Sequence, residues 1–257
     1  MAREASIEQT LTDGIEHHLE NFHFSIPAIV IRSDLDNMQV DVQPSLNIKM
    51  FDGGSSSERP SIVGVPLVFP SSKTAGFTFP VNTGDSVLLV FSERGLDAWK
   101  AGNGYPSTPT DFRMMDYKDA IAIPGLMPRG QSIDNPSKHV HTHNTGDTVI
   151  FSNLGGVESE VRLKTDGSVE INTSNQPVTI NCSVANINAN QEVNINTPVM
   201  NVDADTTNWI GSINLQGSIV QVGNWTQTGN YSAVGIQSFN SIIFSTHKHG
   251  TSPPPSN

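Results

Sequence analysis

Residues 165–246 contain neither lysine nor arginine, and apolar side chains recur through most of that stretch at every second position. Examples are Val169/Ile171, Val178/Ile180/Cys182/Val184, Ile187/Ala189, Val193/Ile195, Ile213/Leu215 and Val220/Val222. A period of two places the apolar residues of a strand on one face. Asn, Thr, Ser and Gln fill most of the remaining positions. Each short strand therefore presents an apolar stripe only two or three residues wide, too little for a core within one thin chain. Several chains winding about a shared axis would cover one another's stripes. Winding would also remove free sheet edges, which lysines commonly guard, so a shaft of this kind has no need of them. A monomeric right-handed β-helix is the competing reading, but it calls for longer and more regular coils than this spacing offers.

The same stretch runs into Thr246-His-Lys-His-Gly250. His247 and His249, at i and i+2, share a face of an extended segment, and Lys248 points the other way. Three chains would bring six imidazoles around a three-fold axis. Neutral imidazole suits Zn, Cu, Fe and Ni. Zinc favours four tetrahedral ligands, so six nitrogens fit Fe(II) or Ni(II) better. An ion with every position filled by protein has a structural role.

Turn signals divide the rest of the chain. Residues 5–22 carry Ile7, Leu11, Ile15, Leu19 and Phe22 at helical spacing, with Ser6 and Gln9 placed as a capping box. This predicts one amphipathic helix that docks on its own chain or a neighbour. Candidate strands follow at 28–32, 38–42, 47–51, 65–69, 76–79 and 86–91. Between them lie Asp34-Leu-Asp-Asn37, the flexible 52–57 loop, Ser71-Ser72 and Asn82-Thr-Gly-Asp85. Short strands spaced this way suit a small closed barrel such as an OB-fold, with one short helix at 95–100. A Pro- and Gly-rich junction spans 126–145. The expected organisation is a helix (1–23), an OB-like barrel (24–130), a junction (131–146), a β-helical shaft (147–222) and a tip (223–257).

Composition narrows the function. Hydrophobic residues make up 36% of the 257 and charged residues 15%, both low for a compact enzyme. The net charge of -11, and three times that in a trimer, argues against nucleic acid and anionic membranes as partners. Cys182, the single cysteine, reads as a small core hydrophobe. The first residues lack a basic region followed by an apolar one, so no signal peptide is expected and synthesis is placed in a cytoplasm. No apolar run approaches the roughly 20 residues of a membrane helix.

Taken together, these segments resemble the central spike proteins of contractile-tailed phages, the baseplate assembly protein V-like or membrane-piercing spikes. Val65-Pro-Leu-Val-Phe-Pro70, Phe79-Pro-Val-Asn-Thr-Gly-Asp85, Leu88-Leu-Val-Phe-Ser-Glu-Arg94 with Trp99, and Asp119-Ala-Ile-Ala-Ile-Pro-Gly125 are similar to the barrel of phi92-like spikes. The resemblance implies an all-β homotrimer: an OB-like barrel attached to a baseplate hub, then an intertwined β-helix ending in a metal-bound tip. It further implies a single iron ion held by His247 and His249 of three chains, and a virion component at the tail tip that pierces the host outer membrane. Some relatives carry a lysozyme domain between barrel and shaft; the short junction leaves no room for one. Two other functions stay open, a receptor-binding tail fibre and a β-helical polysaccharide depolymerase, as does a type VI secretion tip.

Other constellations are weaker. His139-Val-His-Thr-His143 repeats the spacing of the terminal pair. His139, His141 and His143 are thus a possible second metal site, against the plainer reading of a hydrogen-bonded polar strand. His17, His18 and His23 read as surface residues of the helical region. Asp203 and Asp205 form a same-face carboxylate pair, read as a solvated face. No nucleophile–base set, phosphate loop or basic–aromatic patch emerges, so no enzymatic activity and no small-molecule substrate are expected.

Overall fold

The computed structural model describes residues 6–20, 22–49, 54, 56–235, 238–239 and 242–243. It is mostly β, with two α-helices and two short 3-10 turns among the described residues. The chain divides into two compact units, residues 1–183 and 184–257. Among the described residues no helix is long and apolar enough to cross a membrane.

Helix α1 spans Ile7–Glu20. The Ser6 hydroxyl accepts from the Gln9 amide at 3.2 Å, the half of the capping box that satisfies a free N–H. The expected stripe of Ile7, Leu11, Ile15 and Leu19 is exposed, so the helix does not bury it on its own chain.

A five-stranded sheet follows. Its strands are β1 (Ser25–Asp34), β2 (Gln39–Pro44), β5 (Ile62–Pro66), β6 (Ser86–Phe91) and β7 (Ala120–Pro124). The short strands β3 (Ile48–Lys49) and β4 (Ser56–Ser57) pair separately between β2 and β5. The sheet runs β5-β2-β1-β6-β7, all antiparallel. It curls until its two edges meet: Leu67, just past β5, bridges Ala122 of β7 in parallel. The Val68 amide donates to the Ala122 carbonyl at 3.0 Å.

Alternation dictates the interior. Ile26, Ala28 and Val30 of β1 point inward with Val40, Val42, Ile62, Val65, Val87, Leu89, Phe91, Ala120 and Ala122. Alanines on β7 leave space for the larger side chains opposite. Burying each branched side chain contributes roughly 1.5–3 kcal/mol.

Asp41 marks a local break in this pattern. The β1–β2 register shifts between Val30 and Arg32, and the β2–β5 register shifts between Val40 and Val42. Gly64 lies opposite with φ +64, the left-handed conformation that favours glycine. The Asp41 carboxylate fills the gap, accepting from the Gly64 amide at 2.9 Å and from Arg32 Nε at 2.6 Å. The hydrogen bond from Arg32, then that from Gly64, hold its pKa below the usual carboxylate range.

Several expectations need correction. The 65–69 strand lies three residues earlier, because Gly64 permits a bulge that keeps Ile62 and Val65 both inward. The 76–79 segment is a loop in which only Gly76 bridges Ser71. Its Phe79 instead packs edge-on against Phe69, with centroids 4.9 Å apart. Ser56 and Ser57 are paired, although their composition suggested a flexible loop. The 95–100 helix is present as α2 (Asp97–Ala101). His23 is half-buried against Phe91 and Tyr117 at centroid distances of 5.4 and 5.2 Å. Burial, followed by the charge of Arg59, lowers its pKa.

The expected start of the shaft is a sheet within one chain. Strands β8 (Thr148–Ser152), β9 (Ser159–Leu163) and β10 (Val169–Thr173) are antiparallel, in the order β10-β9-β8. Ile150, Val161 and Ile171 form one cross-strand row, with Leu163 beside Val169 in the next. All five are exposed. The opposite face holds Glu160 and Arg162, which are buried.

Between β10 and the pairing of β11 (Ser238–Phe239) with β12 (Ile242–Ile243), no strand forms among the described residues. Gly211, Gly217, Gly223, Gly229 and Gly235 recur every six residues, each with φ between 114° and 127°. The large apolar residues between these bends, from Ile213 to Val234, are exposed. Trp209, Trp225 and Tyr231 are exposed as well, as is Cys182, which the alternation had placed in a core.

Candidate functional site at the histidine-rich junction

The junction is built on punctuation. Pro136 opens a single helical turn (Pro136–Lys138), and the Asn135 side chain accepts from the Ser137 amide at 3.1 Å. The turn delivers the chain at His139 in an extended conformation, φ -88 and ψ 145. From there the side chains of His139, His141 and His143 meet residues 158–160, at the start of β9.

Glu158 organises the site and is fully buried. Its Oε1 lies 2.6 Å from His139 Nδ1, and its Oε2 accepts from the Val140 amide at 2.7 Å. Its carbonyl receives His141 Nε2 at 3.1 Å, together with the Ser174 amide at 3.0 Å and hydroxyl at 2.9 Å. Burial on its own would raise the Glu158 pKa. The Val140 amide and the His139 ring outweigh that and hold it below the ordinary value.

His139 Nε2 lies 2.9 Å from the Ile133 carbonyl. Both of its partners are acceptors, a carbonyl and an ionised carboxylate. Both His139 nitrogens thus face acceptors. His143 stacks on it, with centroids 3.8 Å apart and planes 4° from parallel. His143 Nε2 faces Asp134 Oδ1 at 2.7 Å, and its Nδ1 is buried without a hydrogen-bond partner. The two rings thus have the same orientation: each Nε2 toward residues 133–134, with Glu158 on the Nδ1 side of His139.

Glu160 is also buried. Its Oε1 accepts from Arg162 Nη2 at 2.6 Å and Asn172 Nδ2 at 2.9 Å. Its Oε2 is buried and unpartnered, as is Arg162 Nε. His139, His143 and Glu160 each offer a ligand atom within 4.8 Å of the others.

The structure thus brings together two of the three junction histidines. His141 is committed to a backbone carbonyl and stands outside the trio. Glu158, Glu160, Arg162 and Asp134 were not singled out from sequence. The available signal was the alternation Glu158, Glu160, Arg162, charges at a strand period where an inward face was due. His247 and His249 lie outside the described residues, as do the side chains of His17 and His18. Asp203 and Asp205 are exposed.

No curated protein matches this chain. Residues 26–125, which hold the curled sheet and its closing bridge, match the family model described as the phage protein Gp138 N-terminal domain, and this marks the chain as a phage protein.

Proposed function

We propose that the chain is the central spike of a contractile phage tail, acting as a homotrimer. The observation that carries this reading is the exposed apolar surface of a regularly bent chain. Ile150, Val161, Leu163, Val169 and Ile171 cover one sheet face, and the large apolar residues recurring along the sequence from Val178 to Val222 are exposed too. Burying even half of such side chains is worth about 1 kcal/mol each. The regular six-residue bends supply a uniform edge along which two further copies can pair. The exposed face of α1 fits docking on a neighbouring copy.

In this reading the curled sheet is an OB-fold that seats on the baseplate hub. Residues 147–222 form an intertwined shaft, and residues 223–257 form the tip. The tip is closed by one iron ion held by His247 and His249 of the three chains. Tail contraction drives this rod through the host outer membrane, and no covalent bond is broken. The phage-protein match supports a tail-related virion role.

Sedimentation equilibrium of the purified chain tests the assembly. A trimer carrying one iron per three chains is expected, with the iron lost in a His247→Ala/His249→Ala variant. A monomer would overturn the reading. Shortening of host polysaccharide by the protein would replace it with the depolymerase alternative.

A further inference from the structure

The junction contains two buried acceptors with nothing to accept. His143 Nε2 faces a carboxylate, so it carries the proton and Nδ1 holds a lone pair. Glu160 Oε2 is the second such acceptor. The side chains of His143 and Glu160 are 2% and 0% exposed. A buried unsatisfied polar atom costs about 1–3 kcal/mol, and a cation between the two would satisfy both.

We propose that His139, His143 and Glu160 form a binding site for a divalent transition-metal ion, one per chain and separate from any ion at the tip. A His₂Glu set selects borderline cations of the zinc type over magnesium or calcium. The surroundings are those of a ligand set already oriented. His143 is fixed through Nε2 by Asp134, and His139 through Nε2 by the Ile133 carbonyl. Glu160 is fixed through Oε1 by Arg162 and Asn172. Outer partners of this kind set the tautomer and aim of metal ligands. On binding, His139 Nδ1 exchanges its contact with Glu158 for the ion, while the Val140 amide keeps Glu158 in place. Parallel rings aim their lone pairs side by side, so His139 turns slightly out of the stack to converge on the ion.

The site does not depend on the trimeric reading, and its stoichiometry separates the two. The full chain is stripped with chelator and titrated with Zn²⁺, or with Co²⁺ followed by its visible absorption, with Mg²⁺ as control. The His247→Ala/His249→Ala variant removes the sequence-inferred tip ligands. In that background one Zn²⁺ or Co²⁺ per chain is expected. His143→Gln and Glu160→Gln each abolish it, and Asp134→Asn weakens it about tenfold. Circular dichroism confirms that each variant keeps its fold. Glu160→Gln preserves volume and can still accept from Arg162, so it reads ligation apart from packing. If the background variant binds no ion, the proposal fails. It fails equally if ion binding survives either glutamine variant.

Discussion

His139 and His143 stack face to face, four residues apart in sequence, with the Nε2 of each held by residues 133–134 and the Nδ1 of His139 held by Glu158. The spacing of the pair was visible in the sequence. Its meaning comes from Glu158, whose buried carboxylate holds one of the two rings.

Replacing Glu158 tests this directly. Glu158→Ala leaves the Val140 amide and His139 Nδ1 without an acceptor in a buried setting. Hydrogen bonds to charged groups contribute about 1.5–3 kcal/mol each, so a loss of roughly 3 kcal/mol is expected in denaturant unfolding of the first unit. Glu158→Gln retains one acceptor and should fall between. A midpoint unchanged in Glu158→Ala would show that the junction does not stabilise the unit.

Asp41 predicts a pH dependence. Its folded pKa lies below its unfolded value of about 3.9. The stabilisation is therefore present above that unfolded value and is lost as pH falls through the lowered folded one. Thermal melts below about pH 4 should show a steeper fall for the native chain than for Asp41→Asn. The asparagine can still accept from Gly64, so at neutral pH it should be less damaging than Asp41→Ala. The alanine variant orphans the Gly64 amide at about 1–3 kcal/mol. Parallel pH curves for the native chain and Asp41→Asn would exclude the carboxylate as the source.

Gly76 is a steric prediction. A Cβ there would lie 2.4 Å from the Ser71 Cβ and 2.9 Å from its Cα. Gly76→Ala must open the Ser71–Gly76 bridge, which belongs to the same loop that carries Phe79 onto Phe69. Overpacking typically costs about 1–3 kcal/mol. A lower melting temperature with the sheet retained by circular dichroism is the expected result. Gly14→Ala, with open space around it, should be tolerated.

The sheet face predicts assembly. Ile171→Asp and Val161→Asp place charges on an exposed apolar surface. In an isolated chain both changes are nearly neutral, since surface substitutions usually stay within about 0.5 kcal/mol. If the face is covered by two further copies, each charge is buried three times over and the oligomer dissociates. Light scattering before and after substitution distinguishes the cases. An unchanged molar mass would place the interface elsewhere.

The legible parts of the fold are those where local pattern and tertiary demand coincide. Ser86–Phe91 was readable to the residue because a clean alternation is bounded by Asn82-Thr-Gly-Asp85. Helix α1 followed from its 3–4 spacing. Strand β7 was not proposed as a strand: Ala120 and Ala122 are weak strand signals, and they are inward only because the curled sheet needs small residues beside Leu67. The start of β5 was hidden by a glycine whose positive φ has no sequence signature of its own.

The amino-acid sequence by itself determined a mostly β character, the period-two apolar stripes and the paired histidines, since these depend on spacing along one chain. Only the tertiary structure decided which stripes are buried. It closed Leu67 onto Ala122, left Ile171 and its row exposed, and set Glu158 and Glu160 beneath His139 and His143. Those choices depend on partners ten or more residues apart. Strand alternation fixes that a side chain has a face, and only the packing of the whole sheet fixes what that face meets.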